Sequence, residues 1–159
     1  MEEGIIQVYY GNGQGKTSAA LGNAIKCASH GGTVMMIQFL KGQLSMDFLD
    51  RLEPEIRIFR FERSDVSFDE LSPEEKQEEK QNFMNGLNFA RKALTTGECD
   101  MLVLDEVLGV VDEGMATAED IVNLLKCKSM FTSVILTGKN VHPAIVEAAD
   151  SVLNIVPEK

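Results

Sequence analysis

Eight residues close to the amino terminus, GNGQGKTS at positions 11–18, constrain the fold of this chain more than any others. They follow a β-branched and aromatic run (Ile5, Ile6, Val8, Tyr9, Tyr10) and lead into residues 17–30, where Leu21, Ala24, Ile25 and Ala28 recur at helical spacing. A glycine-rich loop between a strand and a helix is the context of a phosphate cradle. Glycine allows backbone torsions that side chains forbid, so successive N–H groups can converge on phosphate oxygens beside the positive end of the helix dipole. Lys16 adds a mobile full charge and Thr17 a hydroxyl suited to Mg²⁺. The candidate nucleotide-binding set is Gly11, Asn12, Gly13, Gln14, Gly15, Lys16, Thr17 and Ser18. The usual pattern G-x-x-x-x-G-K-S/T places glycine at position 10, where this chain has Tyr10.

Such a loop works with a second acidic element. Asp105-Glu106 follows the apolar run MLVL, so its carboxylates lie at a strand end, where one can reach a Mg²⁺ held by the loop hydroxyl. In a parallel sheet both strand ends share the edge at which ligands bind. Thr17, Asp105 and Glu106 are therefore the candidate metal ligands, and Lys41, after the apolar run at residues 34–40, is placed near the phosphates by the same rule.

The remaining pattern alternates. Strands are expected at 34–40, 56–61, 100–107, 133–137 and 151–156, with helices around 44–52, from Ser72-Pro73 to about residue 95, from Thr117 to 128, and at 143–149. Ser72-Pro73-Glu74-Glu75 combines a hydroxyl cap, a proline at the first helical position and a glutamate placed to close a capping box. Strands alternating with helices imply crossover connections and a mostly parallel sheet covered on both faces. At 159 residues, one domain spanning 1–159 is expected, since domains run to roughly 150 residues.

The formal charge is −10, so a general nucleic-acid surface is not expected. Half of that excess lies in residues 62–80, with eight acids against three bases. No apolar run is long enough to cross a bilayer. Cys27, Cys99 and Cys127 form no C-x-x-C pair and read as core thiols, while His30 and His142 are too scattered for a zinc site. The acidic start MEEG has no basic region of a secretory signal, so a reducing cytoplasm is the expected setting.

Taken together, these elements resemble the corrinoid adenosyltransferase family, P-loop enzymes that move the adenosyl group of ATP to a reduced cobalt corrinoid. The family's G-N-G-x-G-K-T/S loop lacks the first glycine, which matches Tyr10. Its Q-F-x-K-G element matches Gln38, Phe39, Leu40, Lys41 and Gly42, its V-L-D-E strand matches residues 103–106, a T-G turn matches Thr137-Gly138, and E-A-A-D matches residues 147–150. The resemblance implies a RecA-like P-loop NTPase fold, three-layer α/β/α, with ATP and Mg²⁺ bound. It also implies cobalt(I) attack on the ribose 5′-carbon with triphosphate leaving, catalysed by Lys16, Thr17 and Glu106. A reduced corrinoid (cobalamin or cobyrinic acid a,c-diamide), an electron-donating reductase and a second copy of the chain are the implied partners.

The chain also differs from the family. An F-T-W segment thought to displace the corrinoid's lower ligand corresponds to Val66, Ser67 and Phe68, leaving Phe68 as the candidate corrinoid contact. The Arg after the T-G turn is Lys139, an R-P pair is replaced by Lys128-Ser129, and the basic C-terminal segment is not found before Lys159. Two other functions fit the loop: a non-catalytic ATP sensor or carrier, and a small P-loop ATPase or kinase.

Overall fold

We describe the chain from a computed structural model, which defines residues 2–39, 47–61 and 68–159. Among the described residues six strands form one sheet: β1 (Ile6–Tyr10), β2 (Val34–Gln38), β3 (Ile56–Arg60), β4 (Met101–Asp105), β5 (Ser133–Gly138) and β6 (Ser151–Asn154), in the order β3-β2-β4-β5-β1-β6. Every pairing is parallel. The helices are α1 (Lys16–Ser29), α2 (Pro73–Thr96), α3 (Val107–Asp112), α4 (Ala118–Leu125) and α5 (Pro143–Ala148).

Local chemistry sets the boundaries. Helix α2 opens on the expected capping box, Ser72 Oγ accepting from the Glu75 amide and Glu75 accepting from the Ser72 amide, and ends at Gly97 in the left-handed region. Its Phe83, Leu87, Ala90 and Leu94 are all buried. Helix α4 has the same kind of start at Thr117 and Asp120, but stops at Leu125 rather than near 128. The residues expected as a helix at 44–52 form a 3-10 turn over Asp47–Leu52, and 44–46 fall outside the described residues. Helix α3 was not separable by periodicity: VLGVVD continues the apolar β4 run and is only six residues long.

Alternate residues along the strands feed two cores. Val8, Met35, Ile37, Leu102, Leu104, Val134 and Leu136 face α2–α5, whereas Tyr9, Val34, Met36, Val103 and Ile135 face Ala20, Leu21 and Ala24 of α1. The sheet therefore has helices on both faces, the three-layer α/β/α arrangement expected. Strand β5 lies between β1 and β4, which separates the glycine loop's strand from the acidic strand by one position.

Candidate active site at the carboxyl edge of the sheet

Strand register brings the chemistry together. Gln38 pairs with Arg60 on one side and Asp105 on the other, while the β4–β5 and β1–β5 registers set Thr137 in the same row, level with Tyr9. All these residues are the last or next-to-last of their strands, at the edge from which the loop 11–15 rises into α1.

The loop's glycines serve different ends. Gly11, at φ 126°, would place a Cβ 2.2 Å from the Ile155 carbonyl oxygen. Its amide donates to the Gly138 and Lys139 carbonyls, and the Gly13 amide donates to Ile155 O at 2.8 Å. These two amides thus shape the loop against β5 and the residue after β6, which leaves convergence on a phosphate to the amides nearer α1. Gly15 has open space around a Cβ but sits at φ 102° as the α1 N-cap, and no side chain among the described residues caps the helix. The amide end of α1 is left to the site, the arrangement that attracts anions. Asn12, Gln14 and Ser18 are exposed around it. Lys16 Nζ crosses the loop, donating to Gly11 O at 2.7 Å and Gly13 O at 2.8 Å.

The acidic pair divides its work. Asp105 is 5% exposed, and its Oδ1 accepts from Thr17 Oγ1 and from Thr137 Oγ1, each at 2.8 Å. Its Oδ2 accepts from Gln38 Nε2 at 3.3 Å. Glu106 is half-buried and left-handed, with φ 61°, and its amide donates to Thr137 Oγ1 at 2.8 Å. Burial pushes the Glu106 carboxyl above its ordinary range; Asp105 and Asp112 add to the rise, and Lys16 opposes it. Lys16, Thr17, Asp105 and Glu106 therefore share one site. In the sequence, Thr137 and Gln38 stand out only through the resemblance, with no role attached, and Ile155 carries no signal. A hydroxyl at a strand end carries no local signature; only the β5 position between β1 and β4 makes it the link between both acids.

Phe68 lies elsewhere. It starts the 3-10 turn Phe68–Glu70, packs on the α2–α5 core, and has Lys76 Nζ 5.5 Å from its ring centroid. The neighbouring Asp69 acts electrostatically on Glu113, so the turn adjoins the far end of α3, the helix that begins after Glu106. Lys41, Val66 and Ser67 lie outside the described residues.

Residues 2–159 match the family described as ATP:corrinoid adenosyltransferase BtuR/CobO/CobP. The chain belongs to that family. The corrinoid adenosyltransferase of Escherichia coli K12 is 32% identical to it over 99% of this chain and 79% of that protein. Corrinoid adenosyltransferase CobA of Salmonella typhimurium is 30% identical with the same coverage, and the corrinoid adenosyltransferase of Pseudomonas aeruginosa is 26% identical over 95% and 74%. Among solved structures, a KaiC-like protein of Pyrococcus horikoshii superposes with a TM-score of 0.62 at 20% identity, covering 99% of this chain and 75% of the other. That likeness concerns the fold alone. In this adenosyltransferase-family enzyme, Lys139, which follows the T-G turn, is exposed and contributes its carbonyl to Gly11. Lys128, at the altered R-P pair, turns its Nζ to Ser129 O at 2.9 Å.

Proposed function

We propose that this chain, as one nucleotide-binding domain, transfers the 5′-deoxyadenosyl group of ATP to the cobalt(I) of a corrinoid, either cobalamin or cobyrinic acid a,c-diamide. The observation that carries the reading is the family match across residues 2–159. The site supports it. In the step, the cobalt(I) electron pair forms the bond to the ribose 5′-carbon, the carbon–oxygen bond breaks, and its electron pair leaves with the triphosphate. The nucleophile belongs to the substrate, so the protein needs to orient and to stabilise charge rather than supply a base. Lys16 and the amide end of α1 do this for the triphosphate, with Gly11, Asn12, Gly13, Gln14, Gly15 and Ser18 shaping its seat. Lys41 would extend the positive wall, and Phe68 would meet the corrinoid.

The residues present fit Mg²⁺. Thr17, Asp105 and Glu106 offer hard hydroxyl and carboxylate oxygens. Among the described residues no group of three or more His, Cys, Asp or Glu could cage an ion, which suits a cation that takes much of its shell from phosphates and water. Because Thr17 gives its hydroxyl hydrogen to Asp105, its lone pairs are available outward. Bound Mg²⁺ would supply Lewis-acid stabilisation of the leaving triphosphate. Glu106, set beside Lys16 and Asp105, would hold the outer part of that shell. The resemblance further implies a homodimer served by an electron-donating reductase, and we propose a cytoplasmic setting, in which the three cysteines stay reduced.

The test is anaerobic: a corrinoid reduced to cobalt(I) is mixed with ATP and Mg²⁺, and the absorption spectrum and phosphate products are followed. An adenosylated corrinoid with equimolar triphosphate is expected. ADP as the product would indicate γ-phosphate chemistry instead, and ATP binding without product from any corrinoid would indicate a sensor or carrier. Lys16→Ala is expected to abolish ATP binding or turnover.

A further inference from the structure

Three strand ends carry a directional chain of hydrogen bonds that begins outside the glycine loop. Arg60 Nε donates to Gln38 Oε1 at 3.1 Å, and Gln38 Nε2 donates to Asp105 Oδ2 at 3.3 Å. Asp105 Oδ1 then accepts from Thr17. The direction follows from chemistry. A guanidinium has donors and no acceptor, so the Gln38 oxygen must face Arg60 and its NH₂ must face the carboxylate. Gln38 is 1% exposed within the β3-β2-β4 part of the sheet, where an amide turned the other way would set oxygen against oxygen. With Oδ2 held by this amide, Oδ1 stays turned to Thr17 and Thr137, and the Thr17 hydroxyl keeps its hydrogen on Asp105.

We propose that Arg60 is a positioning residue for the metal-binding hydroxyl of Thr17, acting through Gln38 and Asp105 from the edge strand β3. The inference rests on the reading that Mg²⁺-ATP binds at Thr17. It assigns to this exposed arginine a role in divalent-dependent nucleotide affinity, separate from any contact with the corrinoid.

The experiment uses the whole protein and no corrinoid. Calorimetric titrations with ATP are run in excess Mg²⁺ and again in EDTA for wild type, Arg60→Met, Arg60→Lys, Gln38→Leu and the Arg60→Met/Gln38→Leu double variant. Arg60→Met is expected to weaken Mg²⁺-ATP binding about 10-fold, the lower end of what outer-shell partners contribute, and to leave binding in EDTA unchanged. Arg60→Lys, which can still donate to Oε1, should recover most of the loss. The double variant should bind no worse than Gln38→Leu, because Arg60 acts only through Gln38. Wild-type Mg²⁺-ATP affinity in Arg60→Met, an equal loss in EDTA, or additive losses in the double variant would each overturn the assignment. Should Gln38→Leu not fold, the two Arg60 variants decide it. Metal-dependent binding that follows this pattern in a protein with no adenosyl transfer would sink the proposed reaction and leave the role of Arg60 standing.

Discussion

Thr17 Oγ1 donates to Asp105 Oδ1 at 2.8 Å across 88 residues of sequence, joining the first residues of α1 to the last residue of β4. The bond ties the glycine loop to the acidic strand. Thr17→Val removes the hydroxyl with little change of volume and leaves Asp105 with one donor fewer. A stability loss of about 1 kcal/mol is expected, since Thr137 still serves the same oxygen. Adenosyl transfer should fall roughly 10–100-fold or more, and Thr17→Ser should restore most of it. Rates at saturating Mg²⁺ together with thermal melts check both parts.

Gly13 tests the packing of the loop against β6. A Cβ there would stand 2.8 Å from Ile155 O and 2.9 Å from Ile155 Cγ2. Gly13→Ala should therefore cost roughly 1–3 kcal/mol, the range for overpacking, and reduce ATP affinity by displacing the loop. Denaturant unfolding beside nucleotide titration would show it, and an unchanged midpoint would contradict the contact.

Glu106 makes a prediction about pH. Its carboxyl is raised in the folded chain, first by burial and then by Asp105, so the folded state holds this proton more readily than the unfolded state. The stabilising contribution is present below the ordinary glutamate range and is lost as pH rises through the raised value. Glu106→Gln, which does not ionise, should melt progressively higher than wild type as pH climbs through that window, with the gap levelling off above it. Turnover in the variant should fall. Melting curves across mildly acid to neutral pH, without nucleotide, read the sign.

Phe68 tests the proposed corrinoid contact. It packs on the α2–α5 core with Lys76 of α2 over its ring, and the neighbouring Asp69 acts on Glu113 at the end of α3. Phe68→Ala should raise the KM for the corrinoid several-fold and leave ATP affinity unchanged. A matching loss for ATP would place this turn at the nucleotide.

Cys99 reports on the core. It is 3% exposed, and burial pushes its thiol up to about 11, so almost no thiolate exists at pH 8. Iodoacetamide at that pH should leave Cys99 unmodified in the native protein and alkylate it in denaturant, as peptide mass spectrometry would resolve.

Much of this molecule is local information. The strand, loop and helix around residues 11–18, the Ser72 capping box, the Thr117 cap and the spacing of Phe83, Leu87, Ala90 and Leu94 all depend on residues within one or two turns of each other, where backbone torsion and side-chain periodicity act directly. The acids at the end of β4 were legible for the same reason. Tertiary structure decided what lies across the strands. Parallel register sets Arg60, Gln38, Asp105 and Thr137 in one row, although they come from four separate strands, and it makes Asp105 the partner of Thr17 while Glu106 turns left-handed beside it. It also brings Ile155, 142 residues on from Gly13, against the loop, so that two glycine amides are spent on the fold. Helix α3 belongs to this second group, since a six-residue apolar segment has no period of its own and becomes a helix where the β5 edge and the α4–α5 layer give it something to pack on.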